Sequence, residues 1–585
     1  MLYINEGKIY KNEEKRLKNV GNKRKIKERG CIMTNKEIAD LLLPGIDKTP
    51  EYFEDLYKNR NLPEGAMVTR FAPSPTGFVH MGSLYGSLID WIYAKQTDGV
   101  VYLRIEDTDG ERTVENGIEN IVRDLKTFDI EFMEGPSQGG EYGPYIQSER
   151  KEIYQCFAKK LIEEGKAYPC FCTKEDLDSM RESQEKSGSR TGYYGMYAKC
   201  RNLSNDDIEE RVKRGDKYVI RMRSMGSFRN KVNASDVVRG KLNFPENDYD
   251  EVIIKGDGLP TYHFAHICDD HLMKTTLVVR GEEWLPSLPK HVQMFDMMGW
   301  EKPQYLHTSA IGKVDEETGG KRKLSKRKDP ESAVSYYHEH GIPHEVVKLY
   351  LATLINTNFE EWYTKEREAK LADFKFDFKK MSTSIAMFDL DKLMNISKIY
   401  FSRMKAEDVY NETLTYCNEF DKDFADLLTK YKEKSIELLN IERECKKPRK
   451  DIGSYPDVKE VNWYMFKELY DTKSDDELYA DLDKERTYDK DVLKMYAEEI
   501  FDENADKDAW FEGMKTLAEK NGYSPDTKAY KENPDAFKGH VGDVCELVRV
   551  AVTSKTKTPD LYELLRILGK EEVQNRINRF VNYVK

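Results

Sequence analysis

Residues 70 to 109 read RFAPSPTGFVHMGSLYGSLIDWIYAKQTDGVVYLRIEDTD, and the order of patterns in this stretch decides the fold. A β-prone start, Met67 to Phe71, runs into a turn punctuated by Pro73, Pro75 and Gly77. Apolar residues then recur at helical spacing from Leu84 to Ala94, and a second apolar run, Val100 to Ile105, has strand length. Strand, helix and strand in that order make a βαβ unit, whose two strands lie parallel because a crossover helix joins them. The loop stands at the carboxyl end of the first strand, where open α/β sheets bind nucleotides. It carries Gly77, His80 and Gly82. Glycine lets a phosphate approach backbone amides at a helix start, and an imidazole there can donate to a phosphate oxygen. Such turns also serve packing alone, so the pattern points to a nucleotide without requiring one.

Two more stretches carry chemistry. GGKRKLSKRKD, residues 319 to 329, is a Gly-started basic loop that by itself reads as a solvated charged turn. DGLPTYHFAHICDDHLMKTTLVVRGEEWLPSLPKHVQMF, residues 257 to 295, lies between the two. There Tyr262 and His263 read as strand residues beside a turn. Arg280 closes the β-rich TTLVV, which puts a guanidinium at a strand end facing a nucleotide cleft. Glu282 and Glu283 suit the first turn of a helix, where acids complement the dipole. His266 reads as a satisfied structural histidine.

The pentapeptide PSPTG at 73–77 is expected in roughly one random chain of this length in a few thousand. With His80-Met81-Gly82-Ser83 it resembles the glutamyl form of the class I aminoacyl-tRNA synthetase signature. Ser83 departs from the wider class, which favours histidine there. Lys323-Leu324-Ser325-Lys326-Arg327 resembles the mobile lysine-serine-lysine loop of that class. The resemblance implies an α/β plus all-α chain: a class I Rossmann-type parallel-sheet catalytic domain with an acceptor-binding insertion, then a C-terminal helical anticodon-binding region. It implies a monomeric ligase that joins glutamate to tRNA(Glu), with tRNA(Gln) as a second acceptor in some members, using ATP with Mg2+. His80, Lys323 and Lys326 match the catalytic positions; Gly77, Gly82, Ser83 and Ser325 join them around ATP. Arg70, Ala72, Ser74, Glu106, Tyr262, Arg280 and Trp284 match positions of the glutamate pocket. Asp109 and Arg112 are expected at the tRNA 3′ end.

The chemistry agrees with those residue types. Two guanidiniums suit a substrate whose side chain is a carboxylate, while Glu106, with Ser74, suits the α-ammonium. Two ammonium groups suit expulsion of pyrophosphate, since negative charge grows on the leaving oxygens. Glutaminyl relatives usually differ where this chain has Ala72, Ser74 and Thr76, which favours glutamate. A tRNA-modifying glutamyl transferase lacks the anticodon-reading half, whereas this chain runs more than 250 residues past Lys326. A silent synthetase-like protein kept for RNA binding or regulation should have lost some of Arg70, His80, Glu106, Arg280 and Lys326, and all are present.

Composition sets bounds. With 585 residues and 39% hydrophobic content, several sizeable cores are expected. No apolar run approaches membrane-spanning length. The net charge of -12 does not advertise an RNA binder, but phosphate binding needs a basic stripe and not a basic average. Nine scattered cysteines suit a reducing cytoplasm better than a disulfide framework. Cys170, Cys172 and Cys200 could begin a zinc site, as in some relatives. Asn202 stands where some of those offer histidine, Tyr197 would be an unusual substitute, and buried or free thiols are the alternative.

The expected organisation is a lead-in over 33–66, a catalytic domain over 67–330 containing an acceptor-end insertion at 165–247, a stem-contact region over 331–400 and a helical anticodon-binding region over 401–585. AVSYYHEHGIPHEVVKLYLATL, from Ala333, opens the helical periodicities. LVRVAVTSKTKTPDLYELLRILGKEEVQNRI, Leu547 to Ile577, resembles the C-terminal signature of bacterial-type glutamyl enzymes, and Thr558-Pro559-Asp560 is a sound helix start.

Residues 1 to 32 are polar and basic without apolar periodicity, which predicts disorder. Glu13, Glu14, Glu28 and the absence of serine argue against a transit peptide. We expect Met33 to be the true initiator, because codons for Glu28-Arg29-Gly30 can supply a purine-rich ribosome-binding sequence just upstream. Peptide mapping of the native protein should then begin at Met33, and a peptide from before it would refute the expectation.

Overall fold

Strand β1 (Val68–Phe71) pairs in parallel with β2 (Val100–Leu103), in register Val68 with Val100, and the helix Met81–Gln96 makes the crossover. The computed structural model describes residues 33–75, 79–109, 114, 116–325, 327–366, 368–480, 482 and 488–584. The return into β2 is tight: Val100 N donates to Met67 O at 2.9 Å, and a Cβ on Gly99 would lie 1.9 Å from that oxygen. Only glycine fits there. Strand β2 is shorter than the apolar run predicts. Beyond Leu103 the chain leaves the ladder, and Ile105 makes a single bridge to Ile146.

The chain divides into two compact units, one from Met1–Thr76, Tyr93–Glu115 and Phe132–His307, the other from Gly77–Ile92, Asn116–Glu131 and Thr308–Lys585. In the first, β3 (Ala167–Cys170), β4 (Val219–Met222) and β7 (Val252–Ile254) form an antiparallel sheet in the order β3-β4-β7. Strands β5 (Lys231–Asp236), β6 (Gly240–Pro245), β8 (Leu277–Gly281) and β9 (Gln304–Thr308) form a mixed sheet ordered β6-β5-β9-β8, in which β5 is antiparallel to β6 and parallel to β9. Thr276 N donates to Val68 O at 2.9 Å, which seats the start of β8 beside β1. The lead-in is part of this unit's core: Ile38, Ala39, Leu42 and Phe53, from helices Asn35–Leu42 and Pro50–Leu56, share one apolar cluster with Tyr154, Phe157 and Leu161 of helix Lys151–Glu163. Thr34 and Glu37 cap the first of these helices reciprocally.

Two local readings are corrected. Tyr262 and His263 are not strand residues; they open the helix Tyr262–Leu272. The turn at Asp257–Gly258 and Pro260 ends the preceding strand, and eight of the helix's eleven residues are buried, so no polar alternation was available to mark it. The basic stretch at 319–329 is not all loop, because Lys321–Lys323 form β11, antiparallel to β10 (Ile311–Val314).

In the second unit β10 also pairs in parallel with β12 (Ala386–Met387), after which every described element is helical. Two apolar clusters organise these helices, one spanning Phe401 to Phe466 and one spanning Leu438 to Val581. Helix Leu561–Leu568 is capped by Asp560, whose carboxylate accepts from Glu563 N at 3.3 Å. Arg576, 2% exposed, ties the last helix to its neighbours by donating to Tyr464 O at 2.5 Å and Val552 O at 3.0 Å.

Candidate active site

The first unit buries a line of alternating charge. Arg150 Nε donates to Asp269 Oδ1 at 2.7 Å, and Arg104 Nε stands 3.8 Å from Asp269 Oδ2. Arg104 Nη1 donates to Asp270 Oδ1 at 2.6 Å and its Nη2 to Glu106 Oε1 at 3.0 Å. Arg70 Nε reaches both Asp270 oxygens at 3.3 Å, while its Nη1 donates to Val279 O at 3.2 Å. Tyr154 and Gln147 complete Asp269, each at 2.8 Å. Neither aspartate belonged to the expected site. The signal for them was the pair Asp269-Asp270 in an otherwise apolar run, which requires cationic partners if it is buried.

Burial alone would raise the Asp270 carboxyl, but Arg104, Arg70 and His266 outweigh it and hold it well below the usual carboxylate range. His266 Nδ1 lies 2.7 Å from Asp270 Oδ2, and burial pushes its imidazole down to about 4. Glu106 goes the other way: burial pushes its carboxyl up, against the pull of Arg104 and Arg70. A cation beside it would favour the ionised form, as any opposite charge near a carboxylate does.

Around this line stand the other expected pocket residues. Glu106 N donates to Pro73 O at 3.0 Å and Arg104 N to Phe71 O at 3.0 Å, so the segment through half-buried Ala72 and exposed Ser74 runs beside Glu106. The Tyr262 and Trp284 rings sit 4.3 Å apart. Burial pushes the Tyr262 hydroxyl up to about 12, and the charges acting on it are Glu106, Arg280, Arg70 and Asp270. Arg70, Glu106, Arg280, Tyr262 and Trp284 are thus one constellation. Arg280 Nε donates to His307 Nε2 at 2.9 Å and its Nη1 meets His291 Nδ1 at 3.0 Å, two histidines that the sequence did not single out. Asp109 is exposed, and Arg112 lies outside the described residues.

Elsewhere in this unit Cys170, Cys172 and Cys200 come together, their sulfurs all within 4.8 Å of one another. The hydroxyl near them is not that of Tyr197, which faces Ser187 and Ser189. It belongs to Tyr193, 3.4 Å from both Cys170 and Cys172 and held by the Cys200 amide at 3.0 Å. Asn202 points to Arg223 instead, at 3.4 Å. Three thiols and a phenol around one centre fit a four-coordinate metal.

The second unit holds the residues expected at ATP. Ser83 N donates to His80 Nδ1 at 3.1 Å, and Ser83 Oγ lies 3.0 Å from Nε2, so Ser83 is a direct partner of His80. Gly82 is held close to that ring: a Cβ there would meet His80 ring atoms at 3.2 Å. In the basic stretch, Arg322 pairs with Asp329 through two bonds of 2.6 and 2.8 Å, and Ser325 N donates to Asp329 at 2.8 Å. Arg322 holds the Asp329 carboxyl down to about 2. This clip closes the Ser325–Asp329 turn directly after Lys323 on β11. Gly77 and Lys326 lie outside the described residues.

Residues 66–395 match the catalytic domain of the class I tRNA synthetases for glutamate and glutamine, and residues 423–581 match an anticodon-binding domain. A glutamate–tRNA ligase of Clostridium perfringens SM101 is 47% identical over 555 residues, covering 94% of this chain and 100% of that protein. One from Acetivibrio thermocellus is 44% identical over 553 residues, again covering 94% and 100%. A crystal structure of a glutamate tRNA ligase from Elizabethkingia meningosepticum in complex with its amino acid superposes with a TM-score of 0.69 at 28% identity, covering 89% of this chain and 100% of that one.

Asp270→Asn should cost about 3–5 kcal/mol, because it leaves the buried guanidiniums of Arg104 and Arg70 short of their shared counter-charge. Denaturant unfolding checks this, with Lys365→Ala, from an exposed pair, expected to change nothing.

Proposed function

The chain belongs to the class I tRNA synthetases for glutamate and glutamine, and from that membership we infer how its own residues carry out the reaction. The protein is an enzyme that joins glutamate to tRNA at the expense of ATP. The observation that carries the choice of glutamate is the pair of buried arginines, Arg70 and Arg280, whose charges meet at Tyr262 together with that of Glu106. A carboxylate side chain satisfies two guanidiniums; an amide would leave buried charge poorly compensated.

We assign Arg70 and Arg280 to the γ-carboxylate, with Tyr262 and Trp284 as the aromatic wall. Glu106 takes the α-ammonium, with Ser74, and Ala72 leaves room beside them. An oxygen of the α-carboxylate attacks the α-phosphorus of ATP, the bond to the bridging oxygen breaks, and pyrophosphate leaves with that electron pair. His80, Ser83 and Ser325 donate hydrogen bonds to the phosphates and Lys323 and Lys326 neutralise them, at the glycine turn of Gly77 and Gly82. ATP enters as its magnesium complex, which tempers repulsion between phosphate and carboxylate. A terminal ribose hydroxyl of tRNA then attacks the glutamyl carbonyl, AMP departs, and Asp109 and Arg112 guide that end of the tRNA. No protein nucleophile is needed, so the work is positioning and charge stabilisation.

Under the same proposal, the region over 165–247 docks the acceptor end, residues 331–400 meet the stem and residues 401–585 read the anticodon. Among the described residues no helix is long and apolar enough to cross a membrane, and eight cysteines are free thiols, which favours a reducing cytoplasm. Zinc, if held, would bind Cys170, Cys172, Cys200 and Tyr193 as a cross-link that stiffens this part of the unit.

Purified enzyme should charge tRNA(Glu) with labelled glutamate and not with glutamine, and charging of tRNA(Gln) as well would place it among the less selective members. Lys326→Ala should lower kcat by about 10²–10³; full activity would remove that lysine from the mechanism. Elemental analysis should find zinc that is lost in Cys200→Ser, whereas a metal-free native protein would leave the cysteines as plain thiols.

A further inference from the structure

Arg280 is gripped by groups to which the reaction, as assigned above, gives no task. Its Nε donates to His307 Nε2 at 2.9 Å, its Nη1 donates to His291 Nδ1 at 3.0 Å, and the Tyr305 ring lies 4.8 Å beneath the guanidinium. A guanidinium has donors only, so each facing nitrogen must offer a lone pair, and both imidazoles are neutral. Each then carries its proton on the far nitrogen. His307 Nδ1 donates to Asp236 Oδ2 at 2.8 Å, and the His307 amide donates to the same oxygen at 2.9 Å. His291 donates from Nε2 to His263 Nδ1 at 2.9 Å. With Nδ1 accepting, His263 carries its proton on Nε2, so it makes no hydrogen bond with the Lys290 ammonium 3.4 Å away, which is paired by Glu251 at 2.7 Å. Both His291 and His307 are 0% exposed.

The two substrate arginines are therefore held by different means. Arg70 is anchored by a carboxylate, Asp270, which compensates part of its charge. Arg280 is anchored on two edges by acceptors that carry no charge. A carboxylate in either place would bind the guanidinium more strongly, but it would also spend the positive potential that attracts a ligand carboxylate.

We propose that His291 and His307 are positioning residues: as paired neutral acceptors they fix the orientation in which the Arg280 guanidinium meets the γ-carboxylate of the substrate. This rests on the reading of Arg280 as a substrate arginine. Fixing the fork beforehand removes the rotamer entropy that binding would otherwise cost. The surroundings keep the imidazoles neutral. Burial, with Lys290, His266 and Arg280, pushes His263 down to about 3, and burial with the same neighbours holds His291 well below its ordinary value. Burial and Arg280 lower His307, against the opposing pull of Asp236. Arg239, Asp270, Arg70 and Glu251 are the other charges facing the cluster.

The test is steady-state charging of tRNA by the full chain carrying His291→Leu, His291→Gln, His307→Leu or Arg280→Ala, with KM for glutamate, KM for ATP and kcat measured separately. The leucine variants should raise the glutamate KM roughly tenfold or more, with kcat and the ATP KM near wild type. His291→Gln should recover most of the loss, since its amide oxygen is also an uncharged acceptor. The wild-type glutamate KM should show no histidine inflection between about pH 5 and 8. The proposal is overturned by an unchanged glutamate KM in both leucine variants, by a glutamine variant no better than leucine, or by an ATP KM that rises in step. If Arg280→Ala leaves the glutamate KM unchanged, the reading of Arg280 falls and the inference with it. If Arg280→Ala raises it while the leucine variants do not, only the inference falls.

Discussion

The line of buried charge from Arg150 through Asp269, Arg104 and Asp270 to Arg70 is the constraint on which the first unit depends. Taking such groups out of water costs several kcal/mol each, and only near-complete mutual pairing offsets it. The pairing can be complete only if helix Tyr262–Leu272, which carries both aspartates, lies against the strand residue Arg70, the segment after β2 and the turn Gln147–Arg150. A buried ion line of this kind is a poor source of stability relative to apolar packing. Its effect is to admit one arrangement of those elements, and that arrangement also aims Arg70 and Glu106.

Charge is distributed unevenly along the line. Asp270 serves both Arg104 and Arg70, so Arg70 is only partly compensated, and Glu106, at the edge, feels burial more strongly than its cationic neighbours. Under the assignment proposed above, the arginines meet an anionic group of the ligand and Glu106 a cationic one. Glutamate offers a γ-carboxylate at one end of a short chain and an α-ammonium at the other. Under the same assignment the site selects by charge, with the rings of Tyr262 and Trp284, 4.3 Å apart, as its aromatic wall.

The second unit uses a carboxylate to organise basic residues in the same way. Asp329 accepts two bonds from Arg322 and one from Ser325 N, so the hairpin β10-β11 and the turn after it are one structure. The clip compensates the Arg322 charge in a stretch where Lys321 and Lys323 are exposed. Farther on, packing takes over from charge: the Leu438 to Val581 cluster holds the C-terminal helices, with Arg576 satisfying carbonyls of two neighbours.

The sequence by itself determined the parallel βαβ start, since strand and helix periods follow one another between Met67 and Ile105, and the helical tail, since Thr558-Pro559-Asp560 and the apolar spacing after it are local signals. It determined the family through short motifs at 73–83, 257–295 and 319–329, and with the family the expectation of which residues meet the substrate. It could not reveal that Tyr262 starts a helix, because a helix buried on nearly every side has no polar face to betray its period. Nor could it single out Asp269, Asp270, His291 and His307, or Tyr193 among the many tyrosines near the cysteines. Their roles rest on partners that stand far away in the chain: Asp270 lies 200 residues from Arg70 and His307 lies 71 from Asp236. Local patterns record what a residue's neighbours in sequence require of it, whereas the pairing of buried charge and lone pairs is settled only when distant segments are packed together and water is gone.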